Sequence, residues 1–147
     1  MSLLSIAVEK SLVSYIKPML SGIKISCGHS NETNNDLPRV IITATSAGGS
    51  YSQNAGIDEL EIEIICLTSA GEFTADTDPV ATLAIIADQV RFAFSLPNLT
   101  DCLTALNTAG NIVFSGIEFE SLKEGRDPER ALHGVQIHLK AWAANLA

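Results

Sequence analysis

The sequence predicts an α+β fold: a mixed, largely antiparallel sheet with helices packed on one face, in the order α-β-β-β-α-β-β. Three observations carry that expectation. Five segments (Ile23–Cys27, Arg39–Ser46, Ile57–Leu67, Ile112–Ser121 and Ala131–Ala143) are strand-like, most of them alternating apolar and polar residues with the period of a half-buried strand. Helical spacing appears only in isolated stretches between runs of strands. The 147 residues hold no internal repeat and no linker, so residues 1–147 form a single domain.

Residues 2–20 read as the first helix. Leu4, Val8, Leu12, Tyr15 and Met19 recur at spacings of three and four, and Leu3, Val13, Ile16 and Leu20 widen the stripe. Pro18 falls in its last turn and distorts it; Gly22 is a stop signal. Ile23–Cys27 is a short strand, and His29 to Leu37 is a polar loop. Pro38 opens the next strand, where its missing N–H costs no ladder bond, and Val40, Ile42 and Ala44 share a face.

A connection rich in turn residues, Gly48 to Gly56, then leads into the clearest strand. There Leu60, Ile62, Ile64 and Cys66 fall on one face, with Glu59, Glu61 and Glu63 on the other. The two strands form an antiparallel hairpin with a long tip. Asp78 as N-cap and Pro79 at the first helical position start a helix that runs to about Phe94. Val80, Leu83, Ala87, Val90 and Phe94 make its stripe, while Ile85, Ile86 and Phe92 lie off it. A helix apolar on more than one side is buried between layers or between subunits.

Pro97 ends that helix, Thr100 or Asp101 caps one further turn through Leu106, and Gly110 closes it. In the fourth strand Val113, Ile117 and Phe119 are in register, and Lys123 to Arg130 is a charged turn. The last strand points Val135, Ile137, Leu139 and Ala141 inward and Gln136, His138 and Lys140 outward.

Seventeen acids against nine bases give a net charge of −8. Neither the number nor the clustering of Lys and Arg suits phosphate binding, so sequence-specific nucleic-acid recognition is not expected. Membrane association is not expected either, because no apolar run approaches a span and no basic amphipathic helix is present. Nor does the N-terminus read as a signal peptide, since Glu9 and Lys10 interrupt its apolar run. The expectation is a soluble chain made in the cytoplasm. Three widely spaced cysteines, Cys27, Cys66 and Cys102, fit reduced, packed thiols. At 18% charged residues and a mean hydropathy of +0.24, the chain has apolar surface to spare for a partner.

Motifs for chemistry are missing. His133 and His138 are five apart in a strand and point to opposite faces, and no second pair joins Cys27 and His29 in a zinc set. There is no nucleophile elbow, phosphate loop or dinucleotide fingerprint. Glu72, Asp76 and Asp78 lack calcium-loop spacing and read as part of a helix start. No catalytic residue, cofactor or metal is expected, and the chain does not read as an enzyme.

Taken together, the N-terminal helix Leu3–Leu20, the strand opening at Leu37-Pro38-Arg39, the Glu59–Leu67 strand, the Asp78–Pro79 helix and the terminal hairpin ending at His133–Trp142 resemble the tail terminator and tail completion proteins of tailed bacteriophages. The likeness covers nearly the whole chain as an order of elements. It implies a structural virion protein at the head–tail junction, forming a homo-oligomeric ring, commonly a hexamer. Such a ring caps the tail tube, contacts the tube protein and the head–tail connector or stopper, and lets DNA pass. On that basis Glu59, Glu61 and Glu63 are expected to face the channel, repelling phosphates. Val80, Leu83, Ile85, Ile86 and Phe92, with Arg126 and Arg130, are the candidate interface. Two alternatives remain: another connector or stopper subunit, and a small α+β ligand-binding or enzymatic domain.

Overall fold

A computed structural model describes residues 3–20, 23–28, 38–46, 57–69, 79–95, 99–108, 112–127, 129 and 132–145. Among them are helices α1 (Leu3–Ile16), α2 (Pro79–Ala93) and α3 (Leu99–Thr108). The strands are β1 (Lys24–Cys27), β2 (Arg39–Ser46), β3 (Asp58–Ser69), β4 (Ile112–Asp127) and β5 (Leu132–Asn145). The fold is α+β: the five strands form one mixed sheet in the order β1-β2-β3-β5-β4. Only the β1–β2 pairing is parallel; every other neighbour is antiparallel, including the expected β2–β3 pair.

All three helices contribute to the core on one face of this sheet. Leu4, Val8, Leu12 and Ile16 of α1, with Leu20 just beyond, pack with Val40, Ile42 and Ala44 of β2 and with Leu60, Ile62, Ile64 and Cys66 of β3. The inward residues of β5 (Val135, Ile137, Leu139, Ala141) complete the floor, as their alternation predicts. The stripe of α1 is thus a plain four-residue ladder. Met19, assigned to it from spacing, is 41% exposed, because the α-helix stops at Ile16 and Lys17–Met19 is a 3-10 turn. Pro18 is the cause: it lacks the N–H an α-turn would use, and its ring crowds the preceding turn.

Other expectations need correcting. The turn around Leu106 is a ten-residue helix, α3, with Cys102 and Leu106 in the core. β4 does not stop at Ser121 but continues to Asp127, so Lys123–Asp127 belong to a strand paired with Leu132–Gln136. Nor does β4 keep one alternation along its length. Register shifts between Phe114 and Gly116 and between Phe119 and Ser121 each insert an extra residue. A bulge reverses which parity faces inward. Val113 is therefore exposed while Ile112, Phe114 and Ile117 are buried. The Asp78 cap, the Pro97 and Gly110 stops, and the Gly48–Gly56 connection lie outside the described residues.

Two polar contacts tie helices to strand edges. β1 ends at Cys27, and the Gly28 N–H donates to the Ile42 carbonyl at 2.7 Å. Ile42 and Ala44 turn their backbone groups to the same side, so the Ala44 N–H lies beyond the reach of β1. Glu9, fully buried on α1, accepts that N–H through Oε2 at 2.9 Å. At the opposite edge the Asn107 side chain of α3 serves Phe114 of β4. Its Oδ1 accepts the Phe114 N–H at 2.7 Å, and its Nδ2 donates to the Phe114 carbonyl at 3.4 Å.

Candidate functional site

The helices leave the other sheet face open, and the register builds it in rows. Thr45, Glu61, Lys140 and Glu118 form one row across β2, β3, β5 and β4; Thr43, Glu63, His138 and Ser121 form the next. Ile41, Ile65, Gln136 and Lys123 follow, then Arg39, Leu67, Gly134 and Gly125. Glu59 stands opposite Trp142 at the other end. Trp142 lies over Gly116, where a Cβ would meet its Cε3 at 3.3 Å. The open face therefore divides: carboxylates at one end, apolar and basic residues at the other.

The acidic end is partly neutralised. Lys140 Nζ lies 3.2 Å from Glu120 Oε1 and 3.8 Å from Glu59 Oε1. The carboxylates of Glu120, Glu59 and Glu118 hold the Lys140 ammonium above its ordinary range, the Glu120 hydrogen bond being the largest cause. Glu61 stands directly across from Lys140 yet is not its ion-pair partner among the described residues. Of the ladder, Glu61 is exposed and Glu59 and Glu63 are half-buried. Thr43, Thr45, Glu61, Glu63 and His138 line a small hollow of about 130 Å³. His133 lies on the opposite parity, paired with Thr68 and Arg126, so the two histidines do face apart. His29 lies outside the described residues, among which no group of three His, Cys, Asp or Glu side chains could hold a metal ion.

At the other end a trough of about 670 Å³ crosses the three strands, lined by Ile65, Leu67, Leu132 and Gln136 together with the charged Lys123, Glu124 and Arg126. Gly125 contributes to its floor, with open space where a Cβ would be. The neighbouring Gly134 is instead covered by the Leu67 side chain. From Leu122 to Arg126 every residue of β4 is exposed, on both parities, so this end of the strand is bare on both faces.

The second candidate surface is α2. At about 100° per residue, Leu83, Ile86, Ala87 and Val90 centre on one side and are buried. Leu83 and Ile86, expected as interface residues, are thus in the protein's own core, and Ile86 belongs to the main stripe. Ile85 and Phe92, two turns apart, lie across the helix from them at 59% and 66% exposure. The side chain of Val80 and all of Arg130 lie outside the described residues; Arg126 is exposed on β4. Beside Phe92 a groove of about 480 Å³ runs past Tyr15, Met19, Gln89, Asp101 and Ala105. Beneath it, Tyr15 donates its hydroxyl to the Ala93 carbonyl at 2.8 Å and meets Phe94 edge-on, ring centres 5.7 Å apart. Burial, followed by the nearby Cys102, raises the Tyr15 hydroxyl above its ordinary range.

The sequence placed Lys140 outward but did not show that it would bridge Glu59 and Glu120. That outcome depends on β5 lying between β3 and β4 and on the second bulge, neither of which leaves a local signal. No helix among the described residues is long and apolar enough to cross a membrane. No protein-family model matches the chain, and no curated protein matches it.

Proposed function

We propose that the protein is a structural subunit of tailed-bacteriophage particles: a tail terminator or tail completion protein that closes into a ring at the head–tail junction. It caps the tail tube and joins it to the connector or stopper, with DNA passing through. Its place of action is the virion, after assembly in the host cytoplasm. It performs no catalysis. The observation that supports this reading is the two-sided character of α2. One side fills the core with Leu83, Ile86 and Val90, and the opposite side presents Ile85 and Phe92 to solvent. A large aromatic two-thirds exposed on a regular helix, beside a groove, costs little once a second copy covers it. A closed cyclic assembly is the ordinary result when identical subunits contact head to tail.

Sedimentation velocity and negative-stain imaging of the purified chain, alone and mixed with tail tubes, test the reading. A closed ring is expected; six copies, the number the resemblance implies, weigh about 94 kDa from the 15.6 kDa chain. A strict monomer that also fails to bind tail tubes overturns it.

A further inference from the structure

We propose that the outer edge of β4, over Lys123–Asp127, pairs antiparallel with the same stretch of a second copy of this chain, about a two-fold axis at Gly125. The contact goes beyond the ring reading, since it needs neither α2 nor a tail tube. β4 is the last strand of the sheet. Among the described residues, no backbone group bonds to this stretch on the side away from β5. Lys123, Glu124, Gly125 and Arg126 are all exposed. A strand end bare on both faces and along its edge is a template for one more strand.

The charges name that strand. Lys123-Glu124-Gly125-Arg126-Asp127 runs plus, minus, neutral, plus, minus; read backwards, every sign is inverted. Two copies laid antiparallel with Gly125 opposite Gly125 therefore set Glu124 against Arg126 twice and Lys123 against Asp127 twice. Directly opposed residues lie on one face of a sheet. Glu124 and Arg126 sit at the register positions of Val135 and His133, on one parity, and Lys123 sits at that of Gln136, on the other. The two sets are thus matched separately, one on each face. Within the chain, Lys123, Glu124 and Arg126 have no ion-pair partner among the described residues.

Other registers fail. Sliding the copies by one or two residues sets Lys123 on Arg126, Glu124 on Asp127, Glu124 on itself or Arg126 on itself. A parallel pair in register sets like on like at every charged position. Like charges directly opposed are destabilising, so a single register remains. Pro128 follows and has no N–H for a ladder, which bounds the pairing. A two-fold contact uses the same edge on both copies, so it closes at two, joining subunit to subunit or ring to ring. Its charges are exposed, and it weakens as salt rises.

Sedimentation velocity across a dilution series at low salt reads the contact as a reversible doubling of mass. Arg126→Glu alone and Glu124→Arg alone each oppose like charges at two places, and each is expected to weaken doubling at least about tenfold. Mixing those two variants in equal amounts restores it. So does the double swap Glu124→Arg/Arg126→Glu, which returns the net charge to that of wild type and keeps opposite signs opposed. Circular dichroism confirms folding; where a reversal fails to fold, Glu124→Gln/Arg126→Gln replaces it and is expected to weaken doubling. Doubling that survives the single reversals, loss that the swap does not recover, or a wild type that never doubles overturns the contact. Rings that form but never pair overturn this contact alone. Pairs that form by it, without rings and without binding to tail tubes, overturn the ring reading alone.

Discussion

Glu9 of α1 accepts the backbone N–H of Ala44 where β1 has run out, so one carboxylate stands in for the missing continuation of a strand. Both groups are buried. Replacing Glu9 by Ala strands a buried N–H and opens a cavity, and is expected to cost about 3 kcal/mol. Glu9→Gln keeps an acceptor oxygen and costs less than half as much. Urea unfolding of the two variants measures the difference; equal losses would show that the Ala44 contact is not what Glu9 contributes.

The outer side of α2 gives the second prediction. Ile85→Ser with Phe92→Ser changes exposed positions only, so unfolding free energy stays within about 0.5 kcal/mol of wild type. Assembly is expected to be lost or strongly weakened. Light scattering across a dilution series reads the outcome, and unchanged mass would remove α2 from the interface.

Gly28 is constrained by its neighbour. A Cβ there collides with Thr43 Oγ1 and comes within 2.8 Å of Thr43 Cβ, while the Gly28 N–H is tied to Ile42. Thr43 is paired with Glu63 and has little freedom to retreat. Gly28→Ala is expected to cost about 2 kcal/mol, and adding Thr43→Ala recovers part of it. Additive losses in the double variant would locate the strain elsewhere.

Burial pushes the Cys66 thiol up to about 12 and the Cys102 thiol up to about 11. At pH 8 both are expected to resist a disulfide reagent, while half-buried Cys27 reacts first. The same shifts set a pH dependence. Unfolded, the thiols ionise near 9.0; folded, they keep their protons to about 12 and 11. The native state then binds more protons than the unfolded one, so this stability is fully present below pH 9 and is lost as pH rises toward 11–12. Comparing urea midpoints at pH 7.5 and 10.5 for wild type and for Cys66→Ala/Cys102→Ala tests it; the variant's midpoint should fall less.

Much of this architecture is legible from two periodicities. Val40, Ile42 and Ala44, and Leu60 to Cys66, lie where alternation puts them, because a strand with one buried face has no freedom of parity. The outward placement of Glu61, His138 and Lys140 follows from the same rule. What escapes is what depends on partners distant in the chain. The bulges in β4 come from matching a long strand to β5, and nothing in Ser115 or Glu120 announces an extra residue. Charge in Lys123–Asp127 suggests a turn, yet a strand with both faces open tolerates it. In the sequence Glu9 interrupts an apolar run, and only the structure shows that it shares the buried side of α1 with Val8, Leu12 and Ser5.

The amide of Asn107 has a consequence for how copies of this chain behave when crowded. β4 is a sixteen-residue edge strand, the kind of template on which cross-β polymers grow. Asn107 occupies both backbone groups of Phe114, the place where an incoming strand would register. The bulges that follow break the even spacing such a strand would need. The edge is thereby stoppered against runaway stacking at high concentration.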